Sequence, residues 1–381
     1  MRSGVIARIR GRRNSVAALL VAAASGCTVV GTAPERTTTV RVGPPPPPAQ
    51  PSRDVTLDPV RPFDEVRALW VVRYTMTSAE AVREMVRTAE ANGFNTLIVQ
   101  VRGRADAFYA SEIEPPGESI REAPPFDPLA LAIEEGHARG MAVHAWVNTH
   151  LVWGPAALPT SPDHLVNAHP DWLGVPRELA RELAPVDPFD DRYVDRLIRY
   201  ARDNPGTVEG VYTSPSHPEV QDRVHGIWMD LAQRYDLDGI HFDYIRFPSA
   251  RYDYSVGALE RFRFWVRDRL AEERYRALDD AYATDLLAFV DGEPEQWNAF
   301  RREHVTRLVE RIRTDLRRVN PRMIVSAAVI ADSKLAYDDR FQPWKEWLRD
   351  GLIDVAVPMA YTPDARRFDA LVQDARSAAL A

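Results

Sequence analysis

Short apolar segments alternate with helical segments along most of this chain. Each apolar segment is rich in Val, Ile, Leu or Ala and too short for an ordinary helix, so we predict that these segments are β-strands. The six predicted strands are Arg67–Val72, Asn95–Arg102, Met141–Asn148, Asp238–Tyr244, Met323–Val329 and Asp354–Tyr361. Apolar strands that alternate with helices pair in parallel through right-handed crossovers, so we expect an α/β fold.

The segments between these strands have helical features. Ser78 is a candidate N-cap, and Gly140 is suited to end the helix that precedes the third strand. The predicted helices are Ser78–Asn92, Asp127–Arg139, Pro218–Tyr235, Val256–Arg276, Glu295–Arg318, Trp344–Asp350 and Arg366–Ala381. A long excursion, residues 149–217, rich in Pro, Asp and Trp, interrupts the alternation after the third strand.

Two architectures fit this alternation, a doubly wound open sheet and a (β/α)8 barrel of the TIM type. No glycine-rich phosphate loop follows any predicted strand, which disfavours the nucleotide-binding open sheets. We therefore predict the barrel. Only six strand–helix units precede Ala381. We expect a barrel truncated after about six units, in preference to two further strands hidden in the sequence.

The start of the chain resembles a bacterial lipoprotein signal. An arginine-rich start is followed by the apolar run Val16–Ala24 and by Ser25–Gly26–Cys27. We predict that residues 1–26 are the signal peptide and that Cys27 is lipidated. An ordinary secretory signal and a twin-arginine signal at Arg12–Arg13 are the alternatives. Residues 27–61, which include the run Pro44–Pro48, are predicted to be a disordered tether, and residues 62–381 the folded domain.

This organisation predicts a location in the bacterial cell envelope, with the membrane as a partner through the lipid on Cys27. The protein would be secreted if Cys27 is not lipidated. The net charge is -7 even with the arginine-rich start included. An acidic domain of this kind argues against nucleic acid as a partner. The oligomeric state does not follow from the sequence.

Polar and aromatic side chains collect near the ends of four predicted strands. Residues two apart on a strand share a face. The shared faces carry Gln100 and Arg102, then His144, Trp146 and Asn148, then His241 and Asp243, and finally Met359 and Tyr361. A fully buried strand would stay apolar to its end, whereas a barrel with its site at the carboxyl ends of the strands shows this gradient. Asp243 is the strongest candidate, because a buried carboxylate needs a partner or a function.

The other residues at these strand ends have structural as well as functional interpretations. Arg102 could pair with a loop carboxylate such as Asp106, and His241 could orient Asp243. Arg246 is expected to pair either with Asp243 or with another acid at the strand ends. The residues predicted to bind substrate are Gln100, Arg102, Asp106, Trp146, Asn148, His241, Arg246 and Tyr361.

The motifs narrow the chemistry to carboxylates. The sequence has no His-x-His, no His-Glu-x-x-His and no cysteine cluster, so we expect neither a metal nor another cofactor. It also lacks the Gly-x-Ser-x-Gly elbow of serine hydrolases. Carboxylate chemistry, together with aromatic residues such as Trp153 and Trp172 in the excursion, suits an uncharged polysaccharide substrate.

Several segments occur in the order found in one known family. They are Leu69–Val71, Gln100–Arg102 with Asp106–Ser111, His144–Asn148, Asp238–Pro248 and Pro358–Tyr361. Together they resemble the glycosyl hydrolase-like family 10 proteins, bacterial envelope barrels distantly similar to alpha-amylases and alpha-galactosidases. The resemblance covers Arg67 to about Asp374 and implies a TIM barrel that hydrolyses glycosidic bonds. It also implies an association with peptidoglycan glycan strands. The sequence departs from the family in lacking the last two strands and in its longer excursion.

The resemblance implies that Asp243 is the nucleophile, because the carboxylate that ends the fourth strand has this role in related barrels. Glycoside hydrolysis usually needs a second carboxyl group as the acid. We expect Asp332 in this role, then Asp338. The resulting prediction is an envelope-anchored glycoside hydrolase that acts on a cell-wall polysaccharide, most readily peptidoglycan glycan strands. The alternative is a non-catalytic glycan-binding lipoprotein with a degenerate or truncated barrel.

Overall fold

The computed structural model describes residues 65–120 and 126–379. These residues belong to one compact unit. The predicted signal peptide, Cys27, the tether and both predicted domain boundaries lie outside the described residues. Within the described ranges, no helix is both long enough and apolar enough to cross a membrane.

The six predicted strands are confirmed, with ends that differ by a few residues at most. The described ranges contain eight strands: β1 Ala68–Val71, β2 Thr96–Arg102, β3 Ala142–Asn148, β4 Leu151–Trp153, β5 Val211–Tyr212, β6 Gly239–Asp243, β7 Ile324–Val329 and β8 Val355–Pro358. Six of them form one parallel sheet in the order β1-β2-β3-β6-β7-β8. This is the order of consecutive strands in a (β/α)8 barrel. The predicted fold class is therefore confirmed as a half-barrel of six strand–helix units.

The helices lie between these strands, as the alternation predicts. The α-helices are α1 Ala79–Ala91, α2 Pro128–His137, α3 Leu165–Ala168, α4 Ala180–Leu183, α5 Asp191–Asp203, α6 Pro218–Arg234, α7 Val256–Val266, α8 Glu272–Tyr282, α9 Ala288–Gly292, α10 Pro294–Val319, α11 Ser333–Asp338, α12 Trp344–Arg349 and α13 Ala365–Ala379. Short 3-10 helices cover Arg73–Thr75, Pro170–Trp172, Arg177–Leu179 and Arg267–Arg269. The helix predicted over Val256–Arg276 is broken by the last of these.

The excursion after β3 is folded, which the sequence pattern did not predict. Strands β4 and β5 pair in antiparallel fashion, with Leu151 opposite Tyr212. Helix α5 is capped by Asp190, whose carboxylate accepts from the backbone N–H of Arg192 at 3.0 Å. Strands of two and three residues are too short to show a periodic pattern, and their pairing joins segments far apart in the sequence.

The core lies between the sheet and its covering helices. Every residue of β2 and β6 is buried. The indole of Trp228 on α6 packs edge-on against Phe242 of β6, with 5.0 Å between the ring centroids. The register places Gln100 opposite Trp146 and Asn148 opposite Asp243. The polar residues at the strand ends are therefore neighbours across adjacent strands.

Candidate functional site

Asp243 ends β6 with its carboxylate held by two neighbours. Its Oδ2 accepts from the indole Nε1 of Trp146 at 3.1 Å, and its Oδ1 accepts from the backbone N–H of Tyr244 at 2.7 Å. The residue is only 8% exposed. Burial raises the pKa of Asp243 above its usual range, although the charge of Arg246 and the two hydrogen bonds oppose this shift. Asp243 is thus a fixed carboxylate with a perturbed pKa, as a catalytic group requires.

Arg246 lies close to Asp243 and pairs directly with a carboxylate that the sequence did not single out. Its Nη2 is 3.1 Å from Oε1 of Glu209, and its guanidinium lies over the ring of Tyr244 at 4.8 Å. Arg246 is buried, while the side chain of Glu209 is 43% exposed. The charge of Arg246 acts to lower the pKa of both carboxyl groups.

Glu209 lies in the excursion, two residues before β5. Its Oε2 accepts from the hydroxyl of Tyr212 at 2.6 Å. Burial acts to raise the pKa of Glu209, but the charge of Arg246 and the hydrogen bonds outweigh it, so the pKa is lowered. No strand periodicity marks this position, because β5 has two residues. The Glu-Gly pair that precedes an apolar dipeptide is the only local signal in the sequence.

Trp146, Asn148 and Gln100 form a chain of hydrogen bonds that ends at Asp243. The indole Nε1 of Trp146 is also 2.9 Å from Oδ1 of Asn148. Gln100 Nε2 donates to the same oxygen at 3.3 Å, and Asn148 Nδ2 donates to the carbonyl of Gly103 at 2.9 Å. The structure therefore brings these three predicted residues together with Asp243. Gln100 and Asn148 are buried behind the half-buried Trp146.

Arg102 is enclosed by the protein. It donates to both carboxylate oxygens of Glu114, at 2.6 and 2.8 Å, and to the carbonyls of Asn148 and Thr149. The side chains of Arg102 and Glu114 are each 1% exposed. The structural interpretation of Arg102, a pair with a loop carboxylate, is confirmed, but the partner is Glu114 and not Asp106. Asp106 instead accepts from the backbone N–H groups of Gly103 and Arg104, at 3.2 and 2.6 Å, and shapes that turn.

His241 precedes Asp243 by two residues on β6, is completely buried, and forms hydrogen bonds with Trp70 and Ser326. Trp70 Nε1 donates to its Nε2 at 3.1 Å, so the proton of the neutral ring is on Nδ1, which lies 2.9 Å from Ser326 Oγ. Ser326 in turn donates to the carbonyl of Ile240 at 3.0 Å. Burial lowers the pKa of His241 to about 3, so the ring is neutral at physiological pH. These contacts position Trp70, whose ring lies 6.5 Å from that of Trp146.

Tyr361 follows β8, at the same edge of the parallel sheet as the end of β6 that carries Asp243. It is 77% exposed. Its pKa is raised, first by partial burial of the hydroxyl and then by the charge of Asp243. Tyr361 is therefore an accessible aromatic ring within electrostatic reach of the candidate carboxylate.

The two carboxylates predicted as the acid have other contacts. Asp332 is the N-cap of α11, accepting from the backbone N–H of Leu335 at 3.1 Å, and it pairs with Arg367 at 2.7 Å. These two interactions lower the pKa of Asp332. Asp338, at the end of α11, pairs with Lys334. In the described ranges the structure brings neither of them into hydrogen-bond contact with Asp243.

The described part of the chain contains no group of three or more His, Cys, Asp or Glu residues that is suited to hold a metal ion. The polar and aromatic groups around Asp243 are the carboxylate of Glu209, the guanidinium of Arg246 and the rings of Trp146, Tyr212 and Tyr361. A pair of carboxyl groups with aromatic side chains beside them is an arrangement suited to acid–base chemistry on a sugar.

Comparisons with known proteins agree with this chemistry. Glycosyl hydrolase YngK of Bacillus subtilis is 24% identical, and the match covers 78% of this chain and 54% of YngK, so the chain spans about half of that relative. Glycosyl hydrolase DigH of Escherichia coli strain K12 is 26% identical, with 91% of this chain and 75% of DigH covered.

A solved structure has the same fold. The PgaB (BpsB) glycoside hydrolase domain from Bordetella bronchiseptica superposes with a TM-score of 0.51 and 14% identity, covering 82% of this chain and 81% of that domain. The sequence profile of the family described as Glycosyl hydrolase-like 10 matches residues 65–186 and 192–379. The matched residues include every strand of the half-barrel together with Asp243 and Glu209. The chain belongs to the glycosyl hydrolase-like 10 family.

Proposed function

We propose that this protein is an envelope-anchored glycoside hydrolase that cleaves a cell-wall polysaccharide, with peptidoglycan glycan strands as the preferred substrate. The family supports a glycosidase-type function. The observation that carries the proposal is the carboxylate of Asp243, held at the end of β6 by Trp146 and Tyr244 with a raised pKa. The lipoprotein-like pattern that ends at Cys27 supports the location.

In the proposed mechanism Asp243 is the nucleophile. Its two hydrogen bonds fix the carboxylate, so that one oxygen lone pair can be aimed at the anomeric carbon of a sugar bound above the strand ends. Arg246 favours the ionised form of Asp243 that attack requires. The accessible ring of Tyr361 and the half-buried ring of Trp146 offer apolar faces on which sugar rings stack.

A non-catalytic glycan-binding protein is the second candidate. It is favoured by one observation, that the predicted acids Asp332 and Asp338 are both engaged by basic side chains on α11 and α13. A protein of this kind would bind glycan strands through the same aromatic rings without releasing a product.

The test is a comparison of the full-length protein with its Asp243→Asn variant on purified glycan strands that lack stem peptides. We expect the unaltered protein to release fragments, and the variant to be slower by about 10²- to 10⁴-fold, because Asn can neither attack nor exchange a proton. Mass spectrometry of the soluble products measures both rates.

The matched control is Glu182→Gln, which removes an exposed carboxylate that pairs with Arg196 on the surface. This variant should release fragments at the unaltered rate. Binding of the strands without any product from the unaltered protein would favour the glycan-binding candidate. Undiminished release by Asp243→Asn would refute the role of Asp243.

The proposed anchor has a separate test. Cys27→Ala should move the protein from the membrane fraction to the soluble fraction, and the unaltered protein should yield an N-terminal peptide with the mass of a lipid-modified cysteine. An unaltered protein that is already soluble, with an unmodified cysteine, would contradict the anchor and leave the enzymatic proposal untouched.

A further inference from the structure

We infer that Glu209 is the second catalytic carboxylate of this site, supplied by the excursion between β3 and β6. The inference rests on the proposed glycoside hydrolysis, which needs a second carboxyl group beside Asp243. Asp332 and Asp338 pair with other cations, Arg367 and Lys334. Glu209 is the carboxylate that shares a cation with Asp243.

The backbone leads the excursion directly from β3 over the end of β6. The N–H of Thr149 donates to the carbonyl of Asp243 at 2.7 Å, and the N–H of His150 donates to the carbonyl of Tyr244 at 3.3 Å. The chain then enters β4, which pairs with β5. Because Glu209 lies two residues before β5, the pairing of β5 with β4 returns it to the end of β6.

Gly210 fixes the position of Glu209 more tightly. A Cβ atom added at Gly210 would lie 2.0 Å from the carbonyl oxygen of Trp153 on the paired strand. Only glycine permits this close approach of the two backbones. The residue before it is therefore held at one place, which is how a catalytic side chain is kept on an otherwise irregular segment.

Arg246 and Tyr212 orient the carboxylate of Glu209 while leaving it reachable. Arg246 Nη2 lies 3.1 Å from Oε1, and the Tyr212 hydroxyl donates to Oε2 at 2.6 Å. The side chain of Glu209 is still 43% exposed. The carboxylates of Asp332 and Asp338 lack this combination of an arginine shared with Asp243, a second donor and access for a substrate.

The pKa values of Asp243 and Glu209 are shifted in opposite directions. Burial raises the pKa of Asp243, and the charge of Glu209 adds to this rise. Burial also acts to raise the pKa of Glu209, but Arg246 and Tyr212 outweigh it and the pKa is lowered. The carboxyl groups of Asp243 and Glu209 thus have different electrostatic environments around the one guanidinium of Arg246.

Glu209 alternates between its protonated and ionised forms in the proposed reaction. In the first step, Asp243 bonds to the anomeric carbon while the glycosidic bond breaks, and protonated Glu209 gives its proton to the departing glycosidic oxygen. In the second step, a water oxygen bonds to the anomeric carbon while the bond from that carbon to Asp243 breaks, and one water proton passes to the ionised Glu209. This proton restores the protonated form for the next turnover.

The chain contains a matched control for this residue. Glu178, also in the excursion, accepts from Arg251 Nε at 2.6 Å and from the Tyr200 hydroxyl at 3.0 Å. It therefore has the same kinds of partners as Glu209. The charge of Glu209 is among the largest influences on the pKa of Asp243, and that of Glu178 is not.

The experiment compares Glu209→Gln and Glu178→Gln in the full-length protein, with glycan strands that lack stem peptides as substrate. The pH is varied from about 4 to about 8, so that the rate is measured on both sides of neutral and mildly acidic conditions. We expect Glu178→Gln to keep kcat within about twofold. We expect Glu209→Gln to lose about 10²- to 10⁴-fold in kcat with little change in KM, and to lose the fall in rate on the alkaline side.

The outcomes separate this inference from the proposed function. Near-normal kcat in Glu209→Gln, together with an inactive Asp243→Asn, overturns the inference and leaves the proposed function standing. No product from the unaltered protein overturns the proposed function itself. If Glu209→Gln unfolds at a lower temperature, Glu209→Asp replaces it. That variant should lose kcat and keep the alkaline fall, and an unchanged kcat in Glu209→Asp overturns the inference.

Discussion

Two charged clusters lie at the carboxyl ends of the parallel strands, and they differ in their access to solvent. The sealed pair is Arg102 with Glu114, whose side chains are each 1% exposed and joined by two hydrogen bonds. The open cluster is Asp243, Arg246 and Glu209, in which Glu209 is 43% exposed. The sequence placed Arg102 and Arg246 in the same class of substrate-binding residues.

The difference shows how one residue type acquires two roles at the same edge of a sheet. In the sealed pair every described contact of the guanidinium is internal, so the arginine ties β2 to the start of the excursion. In the open cluster the arginine carries one direct carboxylate contact and acts on a second through its charge. The sealed pair is suited to stability and the open cluster to chemistry.

Breaking the sealed pair should have the largest effect on stability. Glu114→Ala leaves the charge of Arg102 buried without its partner, which typically costs about 3–5 kcal/mol of unfolding free energy. Urea unfolding followed by tryptophan fluorescence measures the loss. The variant protein should also be slow to accumulate when expressed, because a loss of this size is a large part of the stability of a domain.

The control for this prediction is Arg196→Ala, which breaks an exposed pair with Glu182 at 2.7 Å. A surface pair of this kind contributes about 0–1 kcal/mol. If both substitutions cost the same, burial does not distinguish the sealed pair from an ordinary surface pair.

Removing the cation of the open cluster should shift the pH dependence of activity. Without Arg246, the pKa values of Asp243 and Glu209 both rise, since its charge lowers each of them. For Arg246→Met we expect both limbs of the profile of kcat/KM to move up by about one pH unit or more. A profile that keeps its position while the rate falls would mean that Arg246 has only a structural role.

A smaller effect is expected at the residue that joins the open cluster to β3. Trp146→Phe keeps an aromatic ring and removes the N–H that donates to Asp243 at 3.1 Å. A hydrogen bond to a charged group contributes about 1.5–3 kcal/mol, so kcat should fall by about 10- to 10²-fold. Steady-state kinetics on glycan strands measures the change. A loss confined to KM would instead indicate that Trp146 acts mainly as a stacking surface.

The smallest effect is expected in the acid dependence of stability. Burial alone would raise the pKa of Glu114, but the charge of Arg102 and its hydrogen bonds outweigh it, so the pKa is lowered below 4.5. The stabilisation is therefore complete above about pH 4.5 and is lost as the pH falls through the pKa of the folded state. The double variant Arg102→Met with Glu114→Gln should lose less stability than the unaltered protein below pH 4.5. The free energy of unfolding of both proteins is measured with urea at pH 6 and at pH 3.5. If both proteins lose the same free energy between these two pH values, the prediction is contradicted.

Much of the fold could be predicted from the sequence, because each strand of the half-barrel has its own apolar signal. Asp243, Trp146, Asn148 and Gln100 could be grouped for the same reason, since parallel strands end at one edge of a sheet. The sequence also contained a signal for the N-cap role of Asp332, because an Asp directly before a short helix is a common cap. The same position, just beyond the end of a strand, also suited a catalytic acid, so the sequence alone did not distinguish the two roles.

The partners of the two arginines had no such signal. Glu114 and Glu209 lie in irregular segments, and each reaches its arginine through contacts between residues distant in the sequence. The pairing of β4 with β5, which returns Glu209 to the end of β6, also joins segments that no local pattern connects.

By itself the sequence determined the alternation of strands and helices and the carboxylate that ends β6, because backbone geometry and side-chain periodicity act over a few residues. Only the tertiary structure decided that Arg102 is enclosed, that Asp332 caps a helix, and that Glu209 shares a cation with Asp243. The physical reason is that solvent exclusion and charge pairing depend on which distant segments meet. Those contacts exist only once the chain has folded.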